Sequence, residues 1–262
     1  MRTYRRLLGI FYRNALMNEL EYRVNFGALF LVQLFWLSWS IVSVRIPFMY
    51  ADRIAGWSYP ELLIVLSMFY LMKGYLSILL EPNLSQMSDY IRTGTLDYIL
   101  TKPIDSQFMV SLRNLGLNTW ATPLMGGGLL IYGLWLHGSA PSVVDLLIFV
   151  LVTLAAMVVL YSFNLVLQSL TFWFTNLEGA DNLVDSAVEA GRYPVAFYEG
   201  WVRTALTSIL PVALLTTFPT LALLGRAPLW LAPLAVVVAI VSFVAASAFW
   251  RIALRSYTSA SS

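Results

Sequence analysis

The chain has 262 residues, of which 59% are hydrophobic and only 11% charged, with a mean hydropathy of +0.74. A soluble domain carries about 25% charged residues, so this composition excludes a water-soluble globule and predicts an integral membrane protein. A net charge of +2 leaves no footprint for nucleic acid, and the absence of cysteine excludes disulfides, thiol nucleophiles and cysteine metal sites.

Crossing a hydrocarbon core of about 30 Å takes about 20 mainly apolar residues. Residues 1–23 precede the first such run. At 100° per residue Tyr4, Leu7, Leu8, Phe11, Ala15 and Tyr22 share one arc, while Arg2, Arg5, Arg6, Arg13 and Arg23 lie opposite. That pattern predicts an amphipathic helix in the membrane interface; a plain basic flank is the alternative. The first apolar run is longer than a signal-peptide core and reads as a retained helix. Six windows of spanning length follow, at 24–44, 61–80, 114–136, 143–174, 201–223 and 229–250. They predict one all-α, polytopic bundle over 24–255, with a tail at 256–262. The fourth window is too long for a simple span, so its turns beyond about Gln168 are expected to leave the bilayer or to tilt.

The short connections are 45–60, 137–142 and 224–228, whereas 81–113 and 175–200 are longer and more charged. Placing both long loops and both termini on one side puts Arg2, Arg5, Arg6, Arg13, Arg23, Arg92, Lys102, Arg113, Arg192, Arg203, Arg251 and Arg255 there. Only Arg45, Arg53 and Arg226 fall on the other. The excess predicts an N-inside, C-inside orientation in the cell membrane.

Within the second window, Lys73 is a charge at membrane depth and therefore a candidate for a pathway or gating role; snorkelling or an internal ion pair is the structural alternative. The loop 81–113 is too patterned to be a linker. Pro82 can open a helix carrying Leu84, Met87, Tyr90 and Ile91 on one face, and Gly94 stops it. Thr95 is a candidate N-cap for a second short helix with an apolar stripe of Leu96, Ile99 and Leu100, ended by Pro103 after Lys102. Asp105 or Ser106 can cap a third. Apolar side chains on such a knob must be buried, either in a groove of a soluble partner or against the chain's own helix ends.

In the third window Gly126, Gly127 and Gly128 follow Pro123 and read as a kink or a close helix contact. His137, the sole histidine, reads as a loop residue. Down the fourth window Asn164, Gln168, Thr171 and Thr175 make one polar stripe, suited to interhelical hydrogen bonds or to lining a cavity. In the last window Ala235, Ala239, Ser242 and Ala246 form a small-residue stripe for tight packing, within the subunit or between two. Trp57, Tyr59, Trp201 and Trp230 read as interfacial anchors. No nucleophile with a base, carboxylate pair, metal motif or GxxxxGK[ST] phosphate loop is present, which predicts a chain with no catalytic site and no cofactor of its own.

Residues Ile91-Arg92-Thr93-Gly94-Thr95-Leu96-Asp97-Tyr98-Ile99-Leu100-Thr101-Lys102-Pro103 resemble the signature after the second span of ABC-2 family transporter permeases. In that family a basic residue precedes a glycine, followed by Leu-Asp, a leucine and a basic-Pro pair. Arg192-Tyr193-Pro194, with Pro211 and Pro219 further on, is similar to a second region of that family. The resemblance implies a six-span permease subunit of an ATP-binding-cassette exporter. Its cytosolic coupling helix after the second span would insert into a separate ATPase that carries ATP and magnesium. Ile91, Arg92, Gly94, Leu96, Asp97, Leu100, Lys102 and Pro103 would shape that contact, and Lys73, Asn164, Gln168 and Thr171 remain pathway or gating candidates. It further implies dimerisation with a second copy or a related permease among membrane lipids. It also implies re-entrant structure before the last span, so 201–223 is expected either to cross straight or to be broken.

Two readings from other classes compete. An ion-gradient-driven carrier needs membrane-embedded carboxylates, and Glu61 and Asp145 sit only at span ends. An intramembrane enzyme or scaffold lacks its catalytic constellation.

Overall fold

The computed structural model describes residues 2–21, 23–174, 180–208 and 212–257. Helix makes up 80% of the described residues, and no strand occurs among them. The helices in chain order are α1 (Arg2–Glu21), α2 (Arg23–Arg45), α3 (Tyr59–Tyr75), α4 (Glu81–Leu84), α5 (Met87–Arg92), α6 (Leu96–Leu100) and α7 (Ser106–Leu112). They are followed by α8 (Ala121–His137), α9 (Val143–Ser169), α10 (Ala180–Ala190), α11 (Gly200–Ser208), α12 (Phe218–Leu223) and α13 (Leu231–Arg255).

Local chemistry sets the helix ends. Glu61 accepts a hydrogen bond from the Ser58 amide at 2.9 Å, and Pro60 sits in the first turn of α3, where its missing N–H costs nothing. Ser142 and Asp145 exchange bonds in the same way at the start of α9, with the Asp145 amide donating to Ser142 Oγ at 3.2 Å. Gly138, at φ +75°, supplies the left-handed stop after α8.

Two π-helical stretches, Leu76–Leu80 and Ala213–Thr217, each lie just before a proline, Pro82 and Pro219. Proline cannot donate to the carbonyl four residues back, and membrane helices re-satisfy such a group from a neighbour. Here the Ile78 carbonyl accepts from the Gly116 amide at 2.9 Å. Only glycine fits at 116, because a Cβ there would lie 2.6 Å from the Ser77 carbonyl oxygen.

α3 is the central helix, buried from Leu62 to Tyr70 without a break. α8 packs antiparallel along it: Cβ atoms placed on Gly74, Gly126 and Gly133 would collide with Pro123, Leu71 and Ile64 respectively. Gly126 is thus a close contact, whereas Gly127 and Gly128 face open space. α9 and α13 run parallel. Asp145, near the start of α9, lies against Gly225 just ahead of α13, and Phe172 beyond the other end meets Trp250 edge-on at 5.6 Å. The small-residue stripe of α13 serves this packing within the chain, with Ala235, Ala239 and Ala246 buried.

Four segments among the described residues are long and apolar enough to cross a membrane: Gly27–Met49, Tyr59–Arg92, Val143–Phe172 and Leu231–Arg255. The remaining two expected spans are not among these four. The window 114–136 begins with irregular chain and a 3₁₀ turn at Leu117–Thr119, leaving α8 with 17 residues. That is about 25 Å of helix at about 1.5 Å per residue. Of the window 201–223 the described residues hold α11 and the apolar stretch Ala213–Leu223, and residues 209–211 between them lie outside the description. Pro219 follows the π-helical turn within that stretch, and Pro211 lies outside the described residues. In the long fourth window α9 stops at Ser169 and tightens into a 3₁₀ turn over Leu170–Phe172. In α1 the partly buried Leu7, Phe11 and Ala15 recur every four residues, and Tyr4 packs edge-on against Phe108 of α7 at 4.8 Å. Of the aromatic residues read as anchors, Trp201 and Trp230 are exposed, but Trp57 is buried.

Candidate coupling loop and membrane polar residues

Helices α4 to α7 form a platform at the end of the bundle that also carries Arg251 and Arg255. Asn83 and Asn114, which bracket the loop, clamp it. The buried Asn83 side chain donates to the Leu79 and Asn114 carbonyls, each at 2.8 Å, and accepts from the Asn114 amide at 2.7 Å; Asn114 Nδ2 reaches the Pro82 carbonyl at 3.1 Å. Asp105 caps α7 by accepting from the Phe108 amide at 2.8 Å. Gly94, at φ +69°, turns the chain after α5. Thr95 precedes α6 but its hydroxyl meets that of Thr93 at 2.5 Å instead of capping the helix.

Both fates expected of the knob's apolar residues occur, on opposite faces. Leu84, Met87, Leu96 and Ile99 are fully buried in the chain's own core. Tyr98, Leu100, Lys102 and Pro103 are exposed, Tyr98 to 75%. The stripe read as Leu96, Ile99 and Leu100 is therefore split, with Leu96 and Ile99 as the base and Leu100 on the outer ridge. Tyr98, which sequence reasoning passed over, joins that ridge. Arg92 is exposed and pairs with Asp89 at 2.9 Å, and Ile91 is half-buried. Asp97 turns to the C-terminal segment: burial first, and then this carboxylate, push the Tyr257 phenol above its ordinary pKa.

Lys73 has a partner. Its Nζ lies 2.7 Å from Glu189 Oε1 on α10, and Arg192 holds the other carboxylate oxygen at 2.9 Å. Both cations also stand over the Phe69 ring, Arg192 at 4.9 Å and Lys73 at 5.8 Å. α10 thus brings the charged residues of the 175–200 connection against α3 instead of leaving them in a detached loop. Asp185, one turn earlier on α10, has its pKa raised by burial despite the pull of Lys73. Glu189 escaped the sequence reading because it is 116 positions from Lys73 and lies outside every apolar window.

The polar stripe on α9 faces inward. Asn164, Gln168 and Thr171 are all buried; Gln168 Nε2 donates to Asp181 Oδ1 of α10 at 2.6 Å, and Thr171 Oγ1 returns to the Gln168 carbonyl at 2.6 Å. Asn164 Oδ1 has no hydrogen-bond partner among the described residues. Thr175 lies outside the described residues. At the opposite end of the bundle the buried Glu61 takes Arg226 at 2.5 Å and faces His137 Nε2 at 3.7 Å, so His137 is part of a cluster and not a bare loop residue. No group of three or more metal-ligating side chains occurs among the described residues.

A hydrophobic helical bundle with several helices long and apolar enough to span a bilayer, a clamped helical platform at one end and ion pairs joining its helices defines a polytopic membrane protein. A family described as ABC-2 family transporter protein matches residues 34–261, and the chain belongs to that family. No curated protein and no solved structure matches it.

Proposed function

We propose that the chain is the permease subunit of an ATP-binding-cassette exporter in the cell membrane. Two copies, or this chain and a related one, form the transmembrane pathway. Each docks a cytosolic ATPase that holds ATP and magnesium, and the chain itself performs no catalysis. Both termini and the α4–α7 platform face the cytoplasm, and α1 lies in the interface as an amphipathic helix.

The observation that carries this reading is the exposed ridge of Tyr98, Leu100, Lys102 and Pro103 on a buried base of Leu96 and Ile99. A short helix with its inner face locked in the bundle and an apolar-basic outer face suits the groove of a soluble partner. Replacing Leu100 with Asp puts a charge into that contact, and we expect it to abolish co-purification with the ATPase while the membrane protein still accumulates. Retained co-purification would remove the ridge from the interface.

One observation favours a second reading. Glu189 beside Lys73 supplies a carboxylate against a membrane helix, as an ion-coupled carrier requires. Vanadate-sensitive, ATP-dependent transport by the reconstituted chain and partner separates the two, since an ion-driven carrier is indifferent to vanadate.

A further inference from the structure

Between α7, α9 and α13 a cleft of about 580 Å³ opens at the platform end. Its floor is polar and internally bonded. Gln107 Nε2 donates to the Tyr161 hydroxyl at 3.0 Å and to Ser247 Oγ at 3.1 Å, and Ser111 Oγ meets the same Tyr161 hydroxyl at 2.9 Å. Its rim carries two exposed charges of opposite sign, Asp105 and Arg251. Among the described residues neither makes an ion pair. Asp105 uses Oδ1 to cap α7 and keeps its second oxygen free of that bond.

Phe243 and Val244 on α13 line this cleft and also a second, apolar groove of about 440 Å³ between α9 and α13. The groove continues toward Leu151 and Val236, away from the platform, and its wall residues Leu154, Ile240 and Val244 are each more than half exposed. The two spaces therefore adjoin. Together they carry hydroxyl and amide groups and two opposite charges among apolar walls near the helix ends and an apolar lining further along α9 and α13, the same order as head and chain in a membrane lipid. Each part lies within the roughly 300–1,000 Å³ of ordinary ligand sites.

We propose that the joined cleft and groove bind one bilayer glycerophospholipid with a zwitterionic aminoethyl headgroup, its phosphate on Arg251, its ammonium on Asp105 and one acyl chain in the α9/α13 groove. Guanidinium matches phosphate in a bidentate fork, and a primary ammonium makes a charge-assisted bond to a carboxylate. A headgroup with net negative charge would meet Asp105 unfavourably. The site goes beyond the permease reading and stands apart from it, since it needs neither ATPase nor substrate.

The test uses the full chain in detergent with dioleoyl phosphatidylethanolamine or phosphatidylglycerol, with bound lipid counted by native mass spectrometry. The wild type is expected to retain the ethanolamine lipid in preference. Arg251→Gln should lower that retention about ten-fold, the scale of one charge-assisted contact, and Arg251→Lys should restore most of it. Asp105→Asn keeps the α7 cap, because asparagine caps as well as aspartate, and should erase the preference over phosphatidylglycerol. Ile240→Trp, on the exposed groove wall, should lower retention of both lipids. Equal retention by the wild type and Arg251→Gln would overturn the proposal, as would a phosphatidylglycerol preference that Asp105→Asn leaves unchanged.

Discussion

At Lys73 an ion pair supplies the partner that a charge within an apolar window requires. The ammonium does not snorkel past the helix end; it is held by Glu189, which Arg192 shares. Removing Lys73 leaves Glu189 to Arg192 alone, a partial loss because both side chains of the Lys73–Glu189 pair are more than a third exposed. Lys73→Met should therefore lower transport, with ATPase binding intact, and adding Glu189→Gln should recover part of the loss; transport rates of the two single variants and the double variant check this. Additive losses would show that the pair carries no coupling. Asn83 shows the same logic with neutral groups. Asn83→Ala orphans the Asn114 amide and frees the loop end, so thermal stability of the purified chain should fall by about 1–3 kcal/mol for the buried unsatisfied group. Neither Glu189 nor the Asn83–Asn114 clamp was legible in the sequence. Both depend on residues far apart in the chain meeting in space, and a lone polar residue at the end of a helix or in a loop carries no periodic signature.

The short helices of the platform were legible because their ends are chemical. Gly94 and Asp105 act at the predicted place, through a positive φ and a capping oxygen, whereas Pro82 lies inside helical chain that runs on from α3, and the single helix expected from Pro82 to Ile91 is split into α4 and α5. Which face of α6 turns inward was not legible, since five residues hold too little periodicity to choose between Leu96 with Ile99 and Leu100 with Tyr98. The long α3–α8 contact was half legible. The Gly126–Gly128 run marked a close approach but not which glycine makes it. A Cβ on Gly126 would lie 3.0 Å from the Leu71 amide nitrogen and 3.1 Å from the Ser67 carbonyl oxygen. Backbone atoms cannot move aside as side chains do, so Gly126→Leu should destabilise the pair by about 1–3 kcal/mol or more. Gly127→Ala, whose Cβ meets nothing within 4 Å, should be near neutral. Melting temperatures of the two purified variants check the contrast, and equal shifts would contradict this packing.

At the scale of the whole molecule, membrane embedding rests on composition and sidedness on the distribution of basic residues. With no native cysteine, a cysteine introduced at Ser139, beside the Glu61–Arg226–His137 cluster, should react with an impermeant thiol reagent added to intact cells. One at Ser106, at the start of α7, should not. The reverse pattern would invert the orientation and place the platform outside. By itself the amino-acid sequence determined that this is an all-helical membrane protein of the ABC-2 kind, because hydrophobicity and helix-terminating residues act locally and are written along the chain. Only the tertiary structure decided that α10 folds its charges against α3 and which residues of the loop stand outside. Those outcomes depend on side chains finding partners across tens of residues of intervening chain, and no local pattern records such meetings.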